Sequence, residues 1–485
     1  MKIIDGKALL MRLRNPKKVT EVISKSREVK DNNVLVHWGV GEAQTLQGLD
    51  IKAPSPIEGQ YTWTGKYEPF AHQKKTSAFL TLHKRAFCFN EQGTGKTGSA
   101  IWAADYLLGL GLIKRVLVIC PLSIMDSAWR EDLFSFASHR TVDVAHGASE
   151  KRREIIRGGA EFVIINYKNP RTTRWKTLRN IMTDDTWLWM MTGTPAAQSP
   201  LDAYGLAKLV NPTGVPRFFG SFRDMVMFRK THFKWETKEN AVNVVHKALQ
   251  PAIRFTKEEC LDLPPMVYVK RAVEMTRQQK HYYKTLKNKL VMQVAGEEVT
   301  AVNAAVGMNK LLQIAGGAIY TDGGDTVAFD IKHRYNVLRE VIDEANKKVL
   351  VFVPFKHTID VLTDKLRADG ITADIIRGNV SAVRRTELFK QFQTTPDPKV
   401  LVIQPQSAAH GVTLTAADTV VWWGPTSSLE TYAQANARVH RAGQDHKCTV
   451  VQLQGSAVEK HVYRLLDARI DVHSEIINLY KNILD

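Results

Sequence analysis

The seven residues Glu91-Gln92-Gly93-Thr94-Gly95-Lys96-Thr97 hold the most specific chemistry in this sequence. Two glycines let a backbone curl until its N–H groups converge on an anion, and a helix starting there adds the positive end of its dipole. The lysine can reach the outer phosphates of a nucleotide, and the threonine hydroxyl after it can ligate Mg²⁺. A strict phosphate-loop pattern has Gly or Ala at position 90, where this chain has Asn90. Context outweighs that departure. The apolar run RAFCFN (85–90) leads straight into the loop, and the apolar stretch SAIWAADYLLGLG (99–111), closed by glycine, follows it. A strand before and a helix after are the setting in which such a loop cradles phosphate.

The elements that must position this loop can be traced along the chain. RVLVICP (115–121) and EFVIIN (161–166) are further short apolar strands. A second series begins at KKVLVFVPF (347–355) and continues through ADIIRG (373–378), KVLVIQP (399–405), DTVVWWG (418–424) and CTVVQL (448–453). Near-continuous apolar strands separated by helices are what a parallel sheet covered on both faces requires. The expected fold class is therefore α/β, with two lobes in tandem and helical insertions between them. Residues 200–260 read mostly as helix, rich in aromatic and basic residues. Residues 1–66, with VLVHWGV (34–40) and the Pro-rich link APSPIEGQ (53–60), read as a small N-terminal module without recognisable chemistry. The expected boundaries are 1–66 for that module, 67–260 and 261–470 for the two lobes, and 471–485 for a C-terminal helix.

The totals limit the partners. A chain of 485 residues suits two or three domains, and its 44% apolar content supplies ample core. The formal net charge of +18 points to a polyanionic partner, and nucleic acid fits better than membrane because no basic amphipathic segment stands out. The four cysteines, Cys88, Cys120, Cys260 and Cys448, include no CxxC pair and read as thiols rather than disulfides or zinc ligands. No apolar run approaches the 18 residues of a membrane span, and Asp5 and Lys7 break the first apolar stretch, against a signal peptide. The expectation is a cytoplasmic protein with no membrane partner, in a bacterial or virus-infected cell.

With the loop in place, further segments fall into order, and the chain resembles the superfamily-two helicases. Within them it is most similar to the remodeller-type translocases on double-stranded DNA, the switch/sucrose-nonfermenting family, over residues 67–465. The resemblance implies two RecA-like parallel-sheet lobes, with ATP and Mg²⁺ as cofactors and double-stranded DNA as partner, gripped mostly by its backbone. YEPFAHQKKTSAFL (67–80) resembles the family's glutamine motif, which would set Gln73 on the adenine edge. Gln92, Gly93, Thr94, Gly95, Lys96 and Thr97 would hold the nucleotide phosphates, with Lys96 acting in catalysis and Thr97 giving part of the magnesium site.

VLVICPLSIMDSAW (116–129) resembles motif Ia, placing Pro121 and Ser123 near the DNA backbone. VIINY (163–167) resembles motif Ib, with Asn166 as a DNA contact. MTGTPAAQSPLDAYGLAKLVNP (191–212) is similar to the motif III region, where Thr192 and Thr194 would couple nucleotide state to DNA grip. IRFTKEECLDLPP (253–265) resembles the crossing between lobes, and KVLVFVPFKHTIDVL (348–362) resembles motif IV. IRGNVSAVRRTELFKQFQ (376–393) implies DNA contacts at Arg377 and Gly378, and HGVTLTAAD (410–418), the end of motif V, implies one at Gly411. Gln404-Pro405 stand where that motif commonly opens with Ser-Thr. QANARVHRAGQ (434–444) is the strongest match, with Gln434, Arg438 and Arg441 in motif VI spacing. On a helix those three share one face. The resemblance makes them catalytic residues turned to the phosphates, and arginine fingers of that kind are worth about 10³–10⁵ in rate.

One part of the pattern is missing. The family has an Asp-Glu box between motifs Ib and III, whose carboxylates hold magnesium and position the attacking water. Here Met191 opens motif III 24 residues after Tyr167, and no apolar strand in that interval ends in Asp-Glu. Asp184-Asp185 lie in a polar turn, and Asp343-Glu344 belong to the other lobe. Lys168-Asn169 resembles the pair that follows the box and opens a basic helix, so the sequence looks joined across an absent strand and its preceding helix. One expectation is that EFVIIN (161–166) moves into the vacant place, leaving Asn166 where the aspartate belongs. KNPRTTRWKTLR (168–179) has five basic residues, Trp175 and no acid, so Arg171 and Arg174 are candidate phosphate contacts.

The leading functional expectation is a DNA-dependent ATPase that translocates on duplex DNA, with hydrolysis impaired by the missing carboxylates. The alternatives are a non-hydrolysing, ATP-gated DNA-binding protein, and a strand-separating helicase or restriction-type motor subunit.

Overall fold

The computed structural model describes residues 1–121, 124–166, 178–193, 199–230, 235–260, 263–296, 301–320, 326–407 and 412–468. The chain folds as two compact units, Met1–Cys260 and Leu261–Asp485. The first unit opens with a four-stranded antiparallel sheet of β1 (Lys2–Ile4), β2 (Ala8–Arg12), β3 (Ser26–Val29) and β4 (Asn33–His37), in the order β1-β2-β4-β3. Its strands alternate as a half-buried sheet must: Leu9, Met11, Val34 and Val36 face a core shared with Trp38 and with Ala43 and Leu46 of α1 (Val40–Gly48). Leu10 and Leu35 take the other face, half-buried.

The phosphate-loop strand β5 (Arg85–Cys88) follows α2 (Ala71–Leu82) and leads into α3 (Lys96–Gly109). Further strands of this unit are β6 (Val116–Cys120), β7 (Val142–Ala145), β8 (Phe162–Asn166) and β9 (Leu188–Met191). α4 (Asp202–Val210), α5 (Phe219–Val226) and α6 (Ala241–Ala248) supply the helical stretch expected over 200–260. A hairpin of β10 (Met227–Arg229) and β11 (Trp235–Thr237) interrupts it, where Arg223 lies 4.0 Å over the Trp235 ring. The short β12 (Ala252–Ile253) closes the set.

These parallel strands do not form one sheet. They form two of three strands each, β12-β5-β9 and β6-β8-β7. Ala86, Phe87 and Cys88 of β5, central in its sheet, are all buried, whereas every residue of β9 is only half-buried. Leu117 of β6 is 43% exposed. β9 and β6 each lack a second neighbour among the described strands. Trp189 of β9 packs against the cluster of Val118, Cys120 and Ile164 and against that of Ala86, Ala100 and Ala103, so its indole lies between the two sheets. The expectation that 161–166 enters the phosphate-loop sheet is therefore corrected. β8 is paired along its whole length with β6 and again with β7, and Phe162, Val163 and Ile164 are buried there. Leaving that place would forfeit hydrogen bonds on both edges and three buried side chains.

The second unit has a continuous sheet. β13 (Met266–Ala272), β16 (Lys348–Phe352), β17 (Ala373–Ile376), β18 (Val400–Ile403), β19 (Ala417–Trp422) and β20 (Cys448–Gln454) run parallel in the order β13-β20-β19-β16-β18-β17. The hairpin of β14 (Ala318–Tyr320) and β15 (Thr326–Ala328) lies outside it. Around the sheet stand α7 (Arg277–Gly296), α8 (Ala301–Gly316), α9 (Lys332–Glu344), α10 (Lys356–Ala368), α11 (Ala382–Thr394), α12 (Leu429–Asn436) and α13 (Ala457–Asp467). Every residue of β19 is buried, as the apolar run of the sequence requires. A buried ion pair pins three elements together: Arg334 of α9 lies 2.7 Å from Glu459 of α13 and donates to the Trp423 carbonyl beyond β19. Glu459 also accepts from Gly455 N and Ser456 Oγ at the start of α13.

Candidate nucleotide site and its surroundings

The loop between β5 and α3 is held from three sides. Gly93 and Gly95 have φ of +87° and +76°, a left-handed conformation that favours glycine. A Cβ on Gly95 would lie 2.0 Å from the Gln73 amide nitrogen and would push that side chain aside. Lys96, the first residue of α3, donates from Nζ to the carbonyls of Asn90 (2.7 Å) and Glu91 (2.9 Å). Its ammonium thus lies folded over the loop, and the half-buried Thr97 follows in the same helical turn.

Asn90, the departure from the strict pattern, is a structural pin. It is fully buried, donates to Thr76 Oγ1 of α2 (2.9 Å) and accepts from Phe255 N (3.0 Å). Glu91 continues the clamp: its N–H donates to the Phe255 carbonyl and its carboxylate accepts from Lys257 N, with Arg254 3.8 Å away. His72 pairs with the Thr94 carbonyl at 2.8 Å, and the Thr94 hydroxyl donates to Glu91 O at 2.8 Å. His72, Asn90 and Phe255 escaped the sequence reading. Their signal was the amide occupying a glycine position, meaningful only once the residues facing it were known.

Gln73 is buried, and both ends of its amide are engaged. Oε1 accepts from Phe70 N at the start of α2, and Nε2 donates to the Gly95 carbonyl. The structure therefore brings Gln73 against the phosphate loop. Gln92 lies against Gly193, where a Cβ would meet its amide at 3.0 Å, and Thr192 N donates to Cys88 O. The start of the motif III segment is thus beside the loop.

Tested against this geometry, phosphates fit: the cradle has two left-handed glycines, a helix N-terminus and the Lys96 ammonium. Magnesium fits only in part. Thr97 offers one hydroxyl, and no group of three His, Cys, Asp or Glu able to hold a metal occurs among the described residues. The parallel strands β5, β6, β7, β8, β9 and β12 end in Cys88, Cys120, Ala145, Asn166, Met191 and Ile253. None ends in a carboxylate.

The expected DNA contacts of the first unit form a second group. Asn166 pairs in register with Cys120, so Asn166 and Pro121 share one end of the β6-β8-β7 sheet. Ser123, Arg171, Arg174, Thr194 and Gly411, and the Lys168-Asn169 pair, lie outside the described residues, as does the expected helix at 471–485.

In the second unit the Arg377 guanidinium is bound to Asp360 at 2.6 and 2.7 Å and to Asn379 at 3.0 Å. Gly378 N donates to Gln404 Oε1 at 3.4 Å, giving that motif V departure a local role. The expected helical face of Gln434, Arg438 and Arg441 is corrected: α12 stops at Asn436. Tertiary bonds end it. Asn436 Oδ1 accepts from Trp422 Nε1, Leu414 N donates to the Arg438 carbonyl, and Gln444 Nε2 donates to the Ala417 and Val439 carbonyls. Gln434 stays on the helix, half-buried, donating to Glu430. Arg438 is buried in the following turn, where burial and the charge of Arg441 push its guanidinium down to about 9. Arg441 reaches the Val412 carbonyl at 3.5 Å. Both arginines thus border the end of motif V, Arg438 buried and Arg441 half-buried.

A family profile of SNF2-related domains matches residues 166–315, and one of helicase conserved C-terminal domains matches residues 333–443. The first match starts at Asn166, where the sequence looks joined. A chromodomain-helicase-DNA-binding protein 1-like of Mus musculus is 24% identical over 438 residues, covering 80% of this chain and 47% of its own length. An uncharacterized ATP-dependent helicase of Mycoplasma genitalium is 23% identical over 436 residues, covering 81% and 41%. The chain thus spans less than half the length of these relatives. The SWI2/SNF2 ATPase core of Sulfolobus solfataricus in complex with dsDNA is 20% identical, covering 84% of this chain and 92% of that one, with a TM-score of 0.39.

Proposed function

We propose that this chain, which belongs to the remodeller-type, SNF2-related branch of the superfamily-two helicase-like ATPases, is a DNA-dependent ATPase core that translocates on duplex DNA with slow hydrolysis. ATP binds first through its phosphates. The loop N–H groups and the N-terminus of α3 receive them, and Lys96 exchanges the carbonyls of Asn90 and Glu91 for phosphate oxygens. Magnesium, when bound, neutralises charge on the outer phosphates; Thr97 is the residue of this chain that would hold it. Arg438 and Arg441 stabilise the charge that develops on the transferred phosphoryl group. Pro121, Asn166 and Thr192, with Arg377 and Gly378 of the second unit, contact the DNA backbone.

The observation that carries slow hydrolysis is the pairing of a phosphate cradle with parallel strands of which, among the described residues, none ends in a carboxylate. Binding depends mainly on the loop and survives. Positioning the attacking water depends on the absent acid and suffers. The same observation favours a second reading, an ATP-gated DNA-binding protein that does not hydrolyse.

The test is equilibrium binding of a fluorescent ATP analogue together with steady-state turnover, each with and without duplex DNA. We expect binding that Lys96→Ala weakens at least about tenfold, and turnover far below the ~1–10³ s⁻¹ usual for enzymes. Turnover within that range, stimulated by DNA and abolished by Lys96→Ala, sinks the slow-hydrolysis reading. Turnover indistinguishable from buffer selects the second reading.

A further inference from the structure

The outer face of the N-terminal sheet has no part in the nucleotide site, and its composition is uneven. Register sets Lys2, Leu10, Leu35 and Arg27 side by side across all four strands, on the face opposite the buried core. A second row holds Ile4, Ala8 and His37, and Arg12 stands opposite Asn33. Lys2, Arg12, Arg27 and His37 are exposed, while Ile4, Ala8, Leu10 and Leu35 between them are half-buried. No acidic residue occupies any of these positions.

At one end this face dips into a shallow concavity of about 380 Å³ lined by Lys7, Ser24, Lys25, Ser26, Arg27 and His37. Three lysine or arginine side chains, an imidazole and two hydroxyls therefore surround one hollow. Glu42 stands nearby, its carboxylate 3.8 Å from Lys25 Nζ, and offsets one of these charges. A sheet face that served only solubility would mix both signs. This one is basic around a low apolar floor, complementary to a row of phosphates.

We propose that this face is a second contact surface for the phosphate backbone of duplex DNA. Four strands about 4.8 Å apart span roughly 14 Å, room for about two or three successive phosphates of one strand. Duplex rather than single-stranded DNA follows from the lack of rings: apart from His37 the face has no aromatic side chain on which unpaired bases could stack. The contact reads no sequence, since phosphate contacts position a protein without specifying bases. It rests on the reading of the chain as a duplex-DNA machine, and adds a grip outside the segments that resemble helicase motifs.

The experiment uses the full chain and a fluorescent duplex of about 25 base pairs, titrated between about 50 and 200 mM salt. Three proteins are compared: the natural sequence, Lys25→Ala/Arg27→Ala, and Lys25→Glu/Arg27→Glu. Each phosphate contact contributes about 0.9 to the slope of log K against log salt, so losing two lowers it by about 1.8. We expect that fall in both variants, a larger loss of affinity in the charge-reversed one, and unchanged binding of the ATP analogue as proof that both remain folded. If the natural chain binds duplex DNA and the variants keep its slope and affinity, this surface is not a DNA contact and the proposal fails alone. If the natural chain shows no salt-dependent duplex binding, the functional reading fails with it.

Discussion

Asn90 shows how one side chain can fix a binding loop without touching a ligand. Its amide links α2 to the segment at Phe255, and its own carbonyl anchors Lys96. Asn90→Ala leaves the Phe255 N–H and the Thr76 hydroxyl without that partner in a buried place, at a cost of about 1–3 kcal/mol. We expect a lower thermal midpoint for the first unit and weaker binding of the ATP analogue, read by calorimetry and fluorescence titration. A drop in stability with unchanged nucleotide affinity would separate the pin from the cradle. At this scale the sequence displayed the cradle plainly, because glycine, lysine and threonine act through their own covalent character. It hid the pin, whose meaning depends on partners 14 and 165 residues away.

At the scale of elements, strands were far more legible than their pairing. Apolar runs marked β5, β6, β8, β16, β18, β19 and β20 to within about three residues, since burial on both faces writes itself as an unbroken apolar stretch. Neighbour choice left no such mark, and the place of β8 came from a register that no single segment encodes. The motif VI helix was misread for a related reason: local propensity continues it, and the bonds of Asn436 and Gln444 stop it. The division of the first unit's strands has a direct readout. In a parallel pair alternate amides point to opposite edges, so Trp189, Met191, Leu117 and Ile119 direct theirs away from their strands' one described neighbour. Hydrogen exchange should find these four at least about 100-fold faster than Val420 and Val421 of β19, which are flanked on both sides. Equal protection would mean that a further strand covers those edges.

At the scale of the whole molecule, two units with separate cores predict separable stabilities. The Arg334–Glu459 pair belongs wholly to the second. Glu459→Gln leaves a buried guanidinium without its counter-charge, a loss of about 3–5 kcal/mol. We expect the calorimetric transition of that unit to fall while affinity for the ATP analogue stays within about twofold, since the phosphate cradle lies in the other unit. An equal fall in nucleotide affinity would mean that the second unit supplies much of the binding. The charge of +18 acts at this scale too: it draws the chain to polyanions at long range and leaves selectivity to the contact surfaces.

The divided sheet of the first unit also has a mechanical consequence. A continuous sheet deforms as one plate, and strain at any strand end spreads sideways through its hydrogen-bond ladder. Among the described strands that lateral route is cut between β9 and β6. What crosses from the phosphate loop to the second plate is α3, 14 residues and about 21 Å long, which begins at Lys96 and is packed along most of its length. A helix of that kind behaves as an axle. It passes on rotation and thrust from the loop, while the Trp189 indole, packed against both clusters, is a side-chain link between the plates. Movement at the loop would therefore reach the second plate through a shaft rather than a sheet, with the core residues along α3, Ile101 and Ala104 among them, as its bearings.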